Sequence, residues 1–453
     1  MRDKLSPKGY LFTNKQLVSI ILPLICEQLL SLVVGMADSM MVSTVGDAAI
    51  SGVSLVDAIS GLMIYIFSAM GTGGAAVAGQ YMGMRDGEKA RSAGQQLIAL
   101  ITVMSGAFTA VLYVFKTGIL ELLFGSIEAD VMAATSKYYM IVMASVPAIA
   151  LFNGGAALFR AMGRSDISLK SSILMNIINV IGNAVLIFGF KMDVAGVAIP
   201  TLVSRYVAAL ILIIMLFNDK WQLRLSGLKD FRVRPQILGN IFRISVPSGI
   251  ENGMFMLGRL VLYSLISTFG TAQITANAIG NTFSTMHCAV GMGVNLGIVT
   301  VVSQCVGAAD FDQARYYMRR IAKATFIVQG AVNVLFLLLL KPLLGIYDVD
   351  PEAERLAATV SIIHCVGSMT IYIPSFTVPA FLRAAGDAVL TMAVSIASMW
   401  LFRVCMAYLI GGRLGMGVTG VFICHCGLDW TVRSVCYLGR YFSGEWKTKA
   451  IKA

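Results

Sequence analysis

Charged residues are scarce in this sequence. Asp, Glu, Lys and Arg make up 13% of its 453 residues, whereas soluble proteins average about 25%. Apolar residues make up 57%, and the mean hydropathy is +0.79. Long apolar runs recur along the whole chain, and they are long enough to cross the ~30 Å hydrocarbon core of a bilayer. The composition therefore predicts an all-α polytopic membrane protein that is embedded in the lipid bilayer and has the bilayer as a partner.

The sequence also lacks the patterns of common catalytic, metal and nucleotide sites. It has no evident Ser/His/Asp set and no glycine-rich phosphate loop, so we expect neither an enzyme nor an ATP-driven pump, and no cofactor. The three histidines, His287, His364 and His425, fall on separate predicted spans without a common motif. Cys424-His425-Cys426 is not expected to hold a metal, because adjacent helical side chains point in different directions. The eight cysteines are expected to be free thiols.

The net charge of +11 reflects membrane topology rather than a polyanionic partner. Lys and Arg concentrate in both terminal tails and in alternate loops, whereas the loops around 121–130 and 348–354 are acidic. This alternation follows the positive-inside rule and predicts that both termini are cytoplasmic. We therefore expect no nucleic-acid partner. The first sixteen residues are basic and polar and predict no cleavable signal.

The apolar runs predict about twelve spans in two six-helix bundles. The predicted bundles are 1–218 and 237–453, joined by a charged cytoplasmic linker at 219–236. The predicted spans are 17–42, 53–80, 93–116, 131–158, 167–190 and 194–218 in the first bundle, and 237–267, 274–304, 318–340, 356–383, 388–411 and 416–440 in the second.

The two bundles are copies of one another in sequence. The matching segments are 23–27 with 247–251, 80–83 with 304–307, 159–163 with 382–386, and 196–197 with 420–421. The offset is 224 throughout (247 − 23 = 224), except at 383 − 160 = 223. Because six spans return the chain to the same side, the copies are parallel, with a pseudo-twofold axis along the membrane normal. This arrangement is typical of transporters that work by alternating access.

The most informative difference between the copies is at Asp38. Its counterpart is Leu262 (38 + 224 = 262), so only the first half carries a carboxylate at this depth. The neighbouring spans offer amide and hydroxyl oxygens from four residues: Asn153, Asn179, Asn183 and Thr201. An all-oxygen set suits a hard cation or a proton. We predict that these residues bind the coupling ion, with Na⁺ at Asp38, Asn179 and Asn183 as one form of the site.

Two alternatives for these residues stay open at this point. Asp38 could be a hydrated cap at the membrane surface, because a carboxylate in hydrocarbon is costly. The asparagines could join helices through hydrogen bonds, which are worth about 0.6 kcal/mol each in membranes.

Several other residues are candidates for a secondary or substrate-binding role. Glu27 and Glu251 follow equivalent prolines in both copies, which favours a symmetric structural role, although a secondary ion role stays open. Met36 and Met256 belong to a methionine-rich set that suits either a substrate cleft or ordinary packing.

Four arginines also fall inside predicted spans: Arg205, Arg259, Arg403 and Arg433. Buried arginines need partners, and Asp429 or Glu251 could serve. Arg259 either faces a cleft, where it would repel cationic cargo, or extends to the interface.

The chain resembles the multidrug and toxic compound extrusion (MATE) family over its full length, and within it the bacterial DNA-damage-inducible (DinF-like) branch. The resemblance rests on segments 23–38, 45–46, 80–83, 159–164, 176–189 and 195–198. It implies a twelve-helix antiporter of the bacterial cytoplasmic (inner) membrane that exports organic, often cationic, drugs in exchange for Na⁺ or H⁺. It further implies ion binding at Asp38, Asn153, Asn179, Asn183 and Thr201, and a first helix that bends at Pro23.

The chain departs from the family pattern in two places. Asn183 stands where many relatives have aspartate, and the tenth span carries no interior acid. Asp38 is therefore the main titrating candidate. We expect a monomer that exports cationic or amphipathic compounds. The alternative is a flippase of lipid-linked oligosaccharide or peptidoglycan precursors, which the resemblance places in the same superfamily.

Overall fold

The apolar runs fold into helices, whose backbone hydrogen bonds form within the segment as a bilayer requires. The computed structural model describes residues 9–125, 127–225, 227 and 231–451. Residues 1–8 and 452–453 of the predicted bundles, Ser126 in an acidic loop, and residues 226 and 228–230 of the predicted linker lie outside this description. The α-helices of the first half are α1 Asn14–Ser43, α2 Asp47–Gly83, α3 Gly87–Val114, α4 Lys116–Phe124, α5 Ala129–Met143, α6 Val146–Ala161, α7 Ser165–Ala184 and α8 Ala195–Leu216. Those of the second half are α9 Pro235–Ser267, α10 Thr271–Gly307, α11 Phe311–Leu344, α12 Pro351–Thr370, α13 Val378–Ala384, α14 Ala388–Ser398, α15 Gly417–Phe422 and α16 Trp430–Ser443.

These helices confirm the predicted all-α membrane fold, and each predicted span coincides with helix. Within the described ranges, eight helices are long and apolar enough to cross a membrane, or ten if each bent pair forms one span. The bent pairs are α5 with α6, at 44°, and α12 with the segment Ile373–Ala384, at 70°. The predicted spans 237–267 and 416–440 are also helical, but both carry ionisable residues in their interiors, such as Glu251 and Arg433.

Within the described residues, five segments of the predicted spans wind as π-helix, which sequence patterning did not predict. They are Val185–Gly189, Met399–Cys405, Tyr408–Arg413, Ile423–Asp429 and Ile373–Thr377, the last of which lies at the bend after α12. The short helix α4 was also not predicted. Because π turns are wider than α turns, they shift the direction of the side chains that follow, and they are frequent at functional sites.

The internal repeat is visible in the backbone as well as in the sequence. Arg85 and Ala309 (309 − 85 = 224) both have positive φ angles, 61° and 54°. Each is followed by an aspartate, Asp86 or Asp310, whose side chain caps the next helix. These carboxylates accept hydrogen bonds from the backbone nitrogen three residues ahead, at 2.9 and 3.0 Å. The two halves therefore share local geometry that the sequence matches alone do not reveal.

The chain forms two compact units, residues 30–245 and residues 1–29 with 246–453. Helix α1 is thus divided, and its Pro23 lies in the part that belongs to the second unit. Within that unit, α1 packs on glycines of α10. A Cβ at Gly293 would lie 2.7 Å from the Ile25 backbone, and one at Gly297 would lie 2.9 Å from Ile21. Small residues at such a crossing allow close backbone approach.

The described part of the predicted linker packs within the 30–245 unit. The Trp221 ring makes an edge contact with Phe159, with the ring centroids 5.4 Å apart, and the Arg164 guanidinium lies 5.1 Å from the same Trp221 ring. The Gln96 amide donates to the Arg232 carbonyl at 2.6 Å. These contacts hold the linker on the helices of the first half.

Candidate functional site

Asp38 lies on α1, five residues before the last residue of the helix, and its side chain is half-buried. The Asn183 amide nitrogen on α7 donates to Oδ1 of Asp38 at 3.0 Å. Asn183 is fully buried, and its own amide oxygen has no hydrogen-bond partner. A carboxylate and an unpartnered amide oxygen are therefore held close together, as a cation or proton site requires.

Asn179, one turn before Asn183 on α7, completes the contact with Asp38. Its amide lies between Asp38 and Thr201, and its hydrogen-bonding surroundings favour the orientation with the nitrogen toward Asp38. With the nitrogen toward Asp38, it donates to both carboxylate oxygens at 3.0 Å and its oxygen accepts from the Thr201 hydroxyl at 3.1 Å. With the oxygen toward Asp38, its nitrogen donates to Thr201 at 3.1 Å. The second orientation sets acceptor against acceptor, and a bound cation or proton would stabilise it.

The structure brings together four of the five predicted ion-site residues: Asp38, Asn179, Asn183 and Thr201. Asn153 is placed differently. Its amide donates to the Ile149 carbonyl of its own helix, α6, at 2.8 Å. Within the described residues, Asn153 makes no hydrogen bond to the other four, so its membership of the site stays a prediction.

A second carboxylate of the first unit was not singled out from the sequence. Asp57, on α2, accepts a hydrogen bond from the Tyr138 hydroxyl at 3.2 Å. Arg205, on α8, donates to the Ser145 hydroxyl at 2.7 Å and to Ser60 at 3.4 Å. Asp57 is the fifth residue of the apolar run that begins at 53. A carboxylate inside such a run is the sequence signal that would have identified it. Arg205 thus has hydroxyl partners within its own half.

Glu251 has a structural setting. It is 5% exposed, accepts from the Ser395 hydroxyl at 2.6 Å and pairs with Arg383 at 3.3 Å. Its arginine partner is therefore Arg383, which was not among the four arginines considered from the sequence. Glu27 is also buried, at 7% exposure. These contacts favour a structural role for Glu251 over an ion site.

The three histidines converge, contrary to the sequence interpretation. His287 Nε2 lies 3.2 Å from His364 Nδ1, and the His364 and His425 ring centroids are 5.5 Å apart. The ligand atoms of His364, His425 and Cys426 all lie within 4.8 Å of one another. His425 and Cys426 are adjacent in the chain and yet both approach His364 of another helix, whereas Cys424 is not part of this group. The expectation that Cys424-His425-Cys426 holds no metal stays a prediction. Helix packing, which the sequence does not specify, brings these groups together.

The remaining candidates have varied surroundings. The Arg259 guanidinium donates to the Tyr263 hydroxyl at 3.1 Å. Arg433 is buried among aromatic rings, 4.9 Å from the centroid of Phe376. Met36 is 48% exposed, and Met256 is half-buried. A substrate role for either methionine stays a prediction.

Comparison with known proteins places these features in a family. The family model MatE matches residues 23–185 and 247–409, one match in each copy of the repeat. The uncharacterized transporter YisQ of Bacillus subtilis is 28% identical over 445 residues, which cover 96% of this chain and 95% of that protein. The probable multidrug resistance protein NorM of Thermotoga maritima is 24% identical over 447 residues, which cover 97% of this chain and 94% of that protein.

A solved structure shows the same fold. A MOP superfamily transporter from Pyrococcus furiosus aligns with a TM-score of 0.89 at 17% identity, over 96% of this chain and 97% of that one. At that identity the likeness concerns the fold alone. The two family matches together cover more than half of the sequence and follow the repeat at an offset of 224 (247 − 23 = 224). The chain therefore belongs to the MatE family of multi-pass membrane transporters.

Proposed function

We propose that this protein is a secondary antiporter that exports organic compounds in exchange for Na⁺ or H⁺. The observation that carries the proposal is the cluster of Asp38, Asn179, Asn183 and Thr201. It joins one carboxylate to amide and hydroxyl groups from two other helices, α7 and α8. The oxygens of this set match the preference of a hard cation, and a proton on Asp38 would satisfy the same contacts.

The Asn179 amide gives this cluster two states. Without an ion, the amide nitrogen donates to Asp38 and neutral groups solvate the carboxylate. With an ion, rotation of the amide turns its oxygen toward the same point and places its nitrogen against Thr201. The ion therefore replaces the hydrogen bonds of the Asn179 amide by another set, so that this amide stays paired in both states.

Helix α1 connects this cluster to conformational change. Asp38 lies in the part of α1 that belongs to the 30–245 unit, whereas Pro23 lies in the part that packs on α10. A proline inside a helix removes one backbone hydrogen bond and favours bending. We propose that ion binding favours one shape of α1. The ion shifts this equilibrium only by the difference between its affinities for the two shapes.

The proposed substrates are cationic or amphipathic organic compounds. The Thermotoga relative is named a probable multidrug resistance protein, which supports organic compounds as substrates. We further propose that the protein is a monomer of the bacterial cytoplasmic membrane with both termini in the cytoplasm. Within the family it would belong to the DNA-damage-inducible branch. We propose no nucleic-acid partner.

A flippase of lipid-linked precursors is the second candidate. The observation that favours it is that Arg259 and Arg403 line one cavity in the second half, where they would attract an anionic head group. If no drug moves under either ion gradient, the flippase becomes the leading function.

Drug efflux under separately imposed gradients tests the main proposal. Inside-out vesicles are given either a Na⁺ or a proton gradient, and accumulation of a fluorescent cationic drug such as ethidium is measured. We expect one gradient to drive wild-type transport and Asp38→Asn to abolish it. Asp47→Asn, at an exposed acid on α2, is the matched control and should transport normally. Normal gradient-driven transport by Asp38→Asn would overturn the assignment of Asp38.

A further inference from the structure

The second half contains a cavity with the opposite charge to the Asp38 site. It is partly open, has about 310 Å³ of space free of protein atoms when the space at its mouth is included, and is lined wholly by residues within 259–425. Its polar lining comprises Arg259, Tyr263, Asn277, Asn281, Arg403 and His425. No acidic residue lines it, so the formal charges at its wall are the positive charges of Arg259 and Arg403.

The arginines of this cavity lack ionic partners. Arg403 is 8% exposed, and its Nε has no hydrogen-bond partner. Among the described residues, neither Arg259 nor Arg403 has a carboxylate oxygen within 4.0 Å. Glu251 pairs with Arg383. Asp429 accepts from Ser398 at 2.7 Å through one oxygen and leaves the other unpaired, so it compensates the Arg403 charge only from a distance and not through an ion pair. Buried charge in a membrane segment is costly unless it is compensated, and here the compensation is incomplete.

The repeat shows that this cavity and the Asp38 cluster occupy equivalent places in the two halves. At an offset of 224 the pairs are Asp38 with Leu262, Asp57 with Asn281, Asn179 with Arg403, Thr201 with His425, and Arg205 with Asp429. Both carboxylates of the first site are thus replaced by neutral residues, and two neutral residues are replaced by basic ones. The one arginine of the first set is replaced by an aspartate. A cation-attracting site in one copy has become an anion-attracting site in the other.

We propose that the cavity lined by Arg259 and Arg403 binds the anionic group of an organic molecule, a carboxylate or a phosphate. The two guanidinium groups provide charge-assisted donors, and the Tyr263 hydroxyl and the Asn277 amide provide neutral ones. The Asn281 amide donates to Asn277 and orients it. The substrates of this transporter then include organic anions or zwitterions, not only cations. This proposal rests on the proposed transport function only where it says that the bound molecule is a transported substrate.

Equilibrium binding tests the proposal without any ion gradient. The full-length protein is placed in nanodiscs of zwitterionic phosphatidylcholine and titrated calorimetrically with octyl phosphate, octanoate and octyltrimethylammonium, with empty nanodiscs subtracted. These probes share one tail and differ in the charge of the head group. We expect the two anions to bind at least about tenfold more tightly than the cation, since hydrogen bonds to charged groups are the strong ones.

Matched variants identify the residues. Arg403→Gln and Arg259→Gln should each weaken anion binding by about tenfold or more, and Arg403→Lys should retain part of it. Arg413→Gln, at an exposed arginine on the same span as Arg403, should leave binding unchanged. Equal binding of all three probes, or unchanged anion binding by the half-buried Arg259→Gln variant, would overturn the proposal.

Two further arms separate the possible sources and the two proposals. If phosphatidylglycerol in the nanodisc competes with octyl phosphate, the bound group is a lipid phosphate, whereas no competition assigns it to a soluble solute. Asp38→Asn should bind octyl phosphate normally even though it fails to transport. Failure of coupling and failure of anion binding are thus observed separately.

Discussion

The Asn183 amide nitrogen lies 3.0 Å from a carboxylate oxygen of Asp38, a residue 145 positions earlier in the chain. Asn183 is fully buried on α7, whereas Asp38 is half-buried on α1. A neutral donor can stabilise a carboxylate without neutralising it, so the charge remains available to an ion. This contact also joins α1, the helix proposed to bend at Pro23, to α7 of the 30–245 unit.

Replacement of Asn183 by alanine should weaken coupling. Asn183→Ala removes the donor to Asp38 and the unpartnered oxygen beside it, so we expect the half-saturating ion concentration for transport to rise about tenfold. Asn153→Ala is the comparison, because the Asn153 amide is bonded to the Ile149 carbonyl. If Asn153→Ala has the larger effect on ion dependence, Asn153 belongs to the site and the contacts seen here do not define it.

Replacement of Pro23 should separate stability from transport. Proline in a helix interior costs about 3 kcal/mol relative to alanine, so Pro23→Ala should raise the melting temperature of the purified protein. The same change stiffens α1, and transport driven by the ion gradient should fall while equilibrium drug binding is retained. Full transport by a more stable Pro23→Ala protein would show that bending at this residue is not required.

Packing of α1 on α10 should be sensitive to a single methyl group. A Cβ at Gly293 would lie 2.7 Å from the Ile25 backbone, so Gly293→Ala should destabilise by about 1–3 kcal/mol and lower the melting temperature. Gly330→Ala, in α11, has no neighbour within 4 Å of its added Cβ and should be neutral or slightly stabilising. Equal melting temperatures for the two variants would contradict this packing.

Glu251 should affect stability rather than ion choice. Glu251→Gln removes the charge that pairs with Arg383 and leaves that arginine partly buried, so we expect destabilisation of about 1–3 kcal/mol. Transport per folded molecule should keep its ion dependence. A change in the identity of the driving ion, measured in vesicles, would instead assign Glu251 to the coupling machinery.

Much of the fold was predictable because the bilayer constrains it strongly. Apolar length predicted the positions of the spans, and matched motifs such as those at Pro23 and Pro247 predicted the repeat. The proximity of Asp38, Asn179 and Asn183 was predictable in part, whereas their binding of an ion stays a prediction. Asn179 and Asn183 lie one turn apart on one helix, and Asp38 is the acid that the second copy lacks.

The rest depended on packing between distant helices. The histidines converge because α10, α12 and the π segment Ile423–Asp429 meet, and no local pattern specifies that meeting. The π segments themselves lack a distinctive sequence signature. Asp57 was within reach of sequence reasoning, since it is a carboxylate inside an apolar run. The basic cavity needed the structure to show that Arg259 and Arg403 line one space.

Competition between ion and drug at equilibrium tests the central claim most directly. The dissociation constant of ethidium is measured on purified wild-type protein and on Asp38→Asn, with and without Na⁺ and at two pH values. An antiporter requires the coupling ion to weaken drug binding, and the coupling free energy is reciprocal. We predict that one of the two ions raises the ethidium dissociation constant of the wild type and has no effect on Asp38→Asn. Equal ion dependence in both proteins would contradict the assignment of Asp38 as the coupling carboxylate.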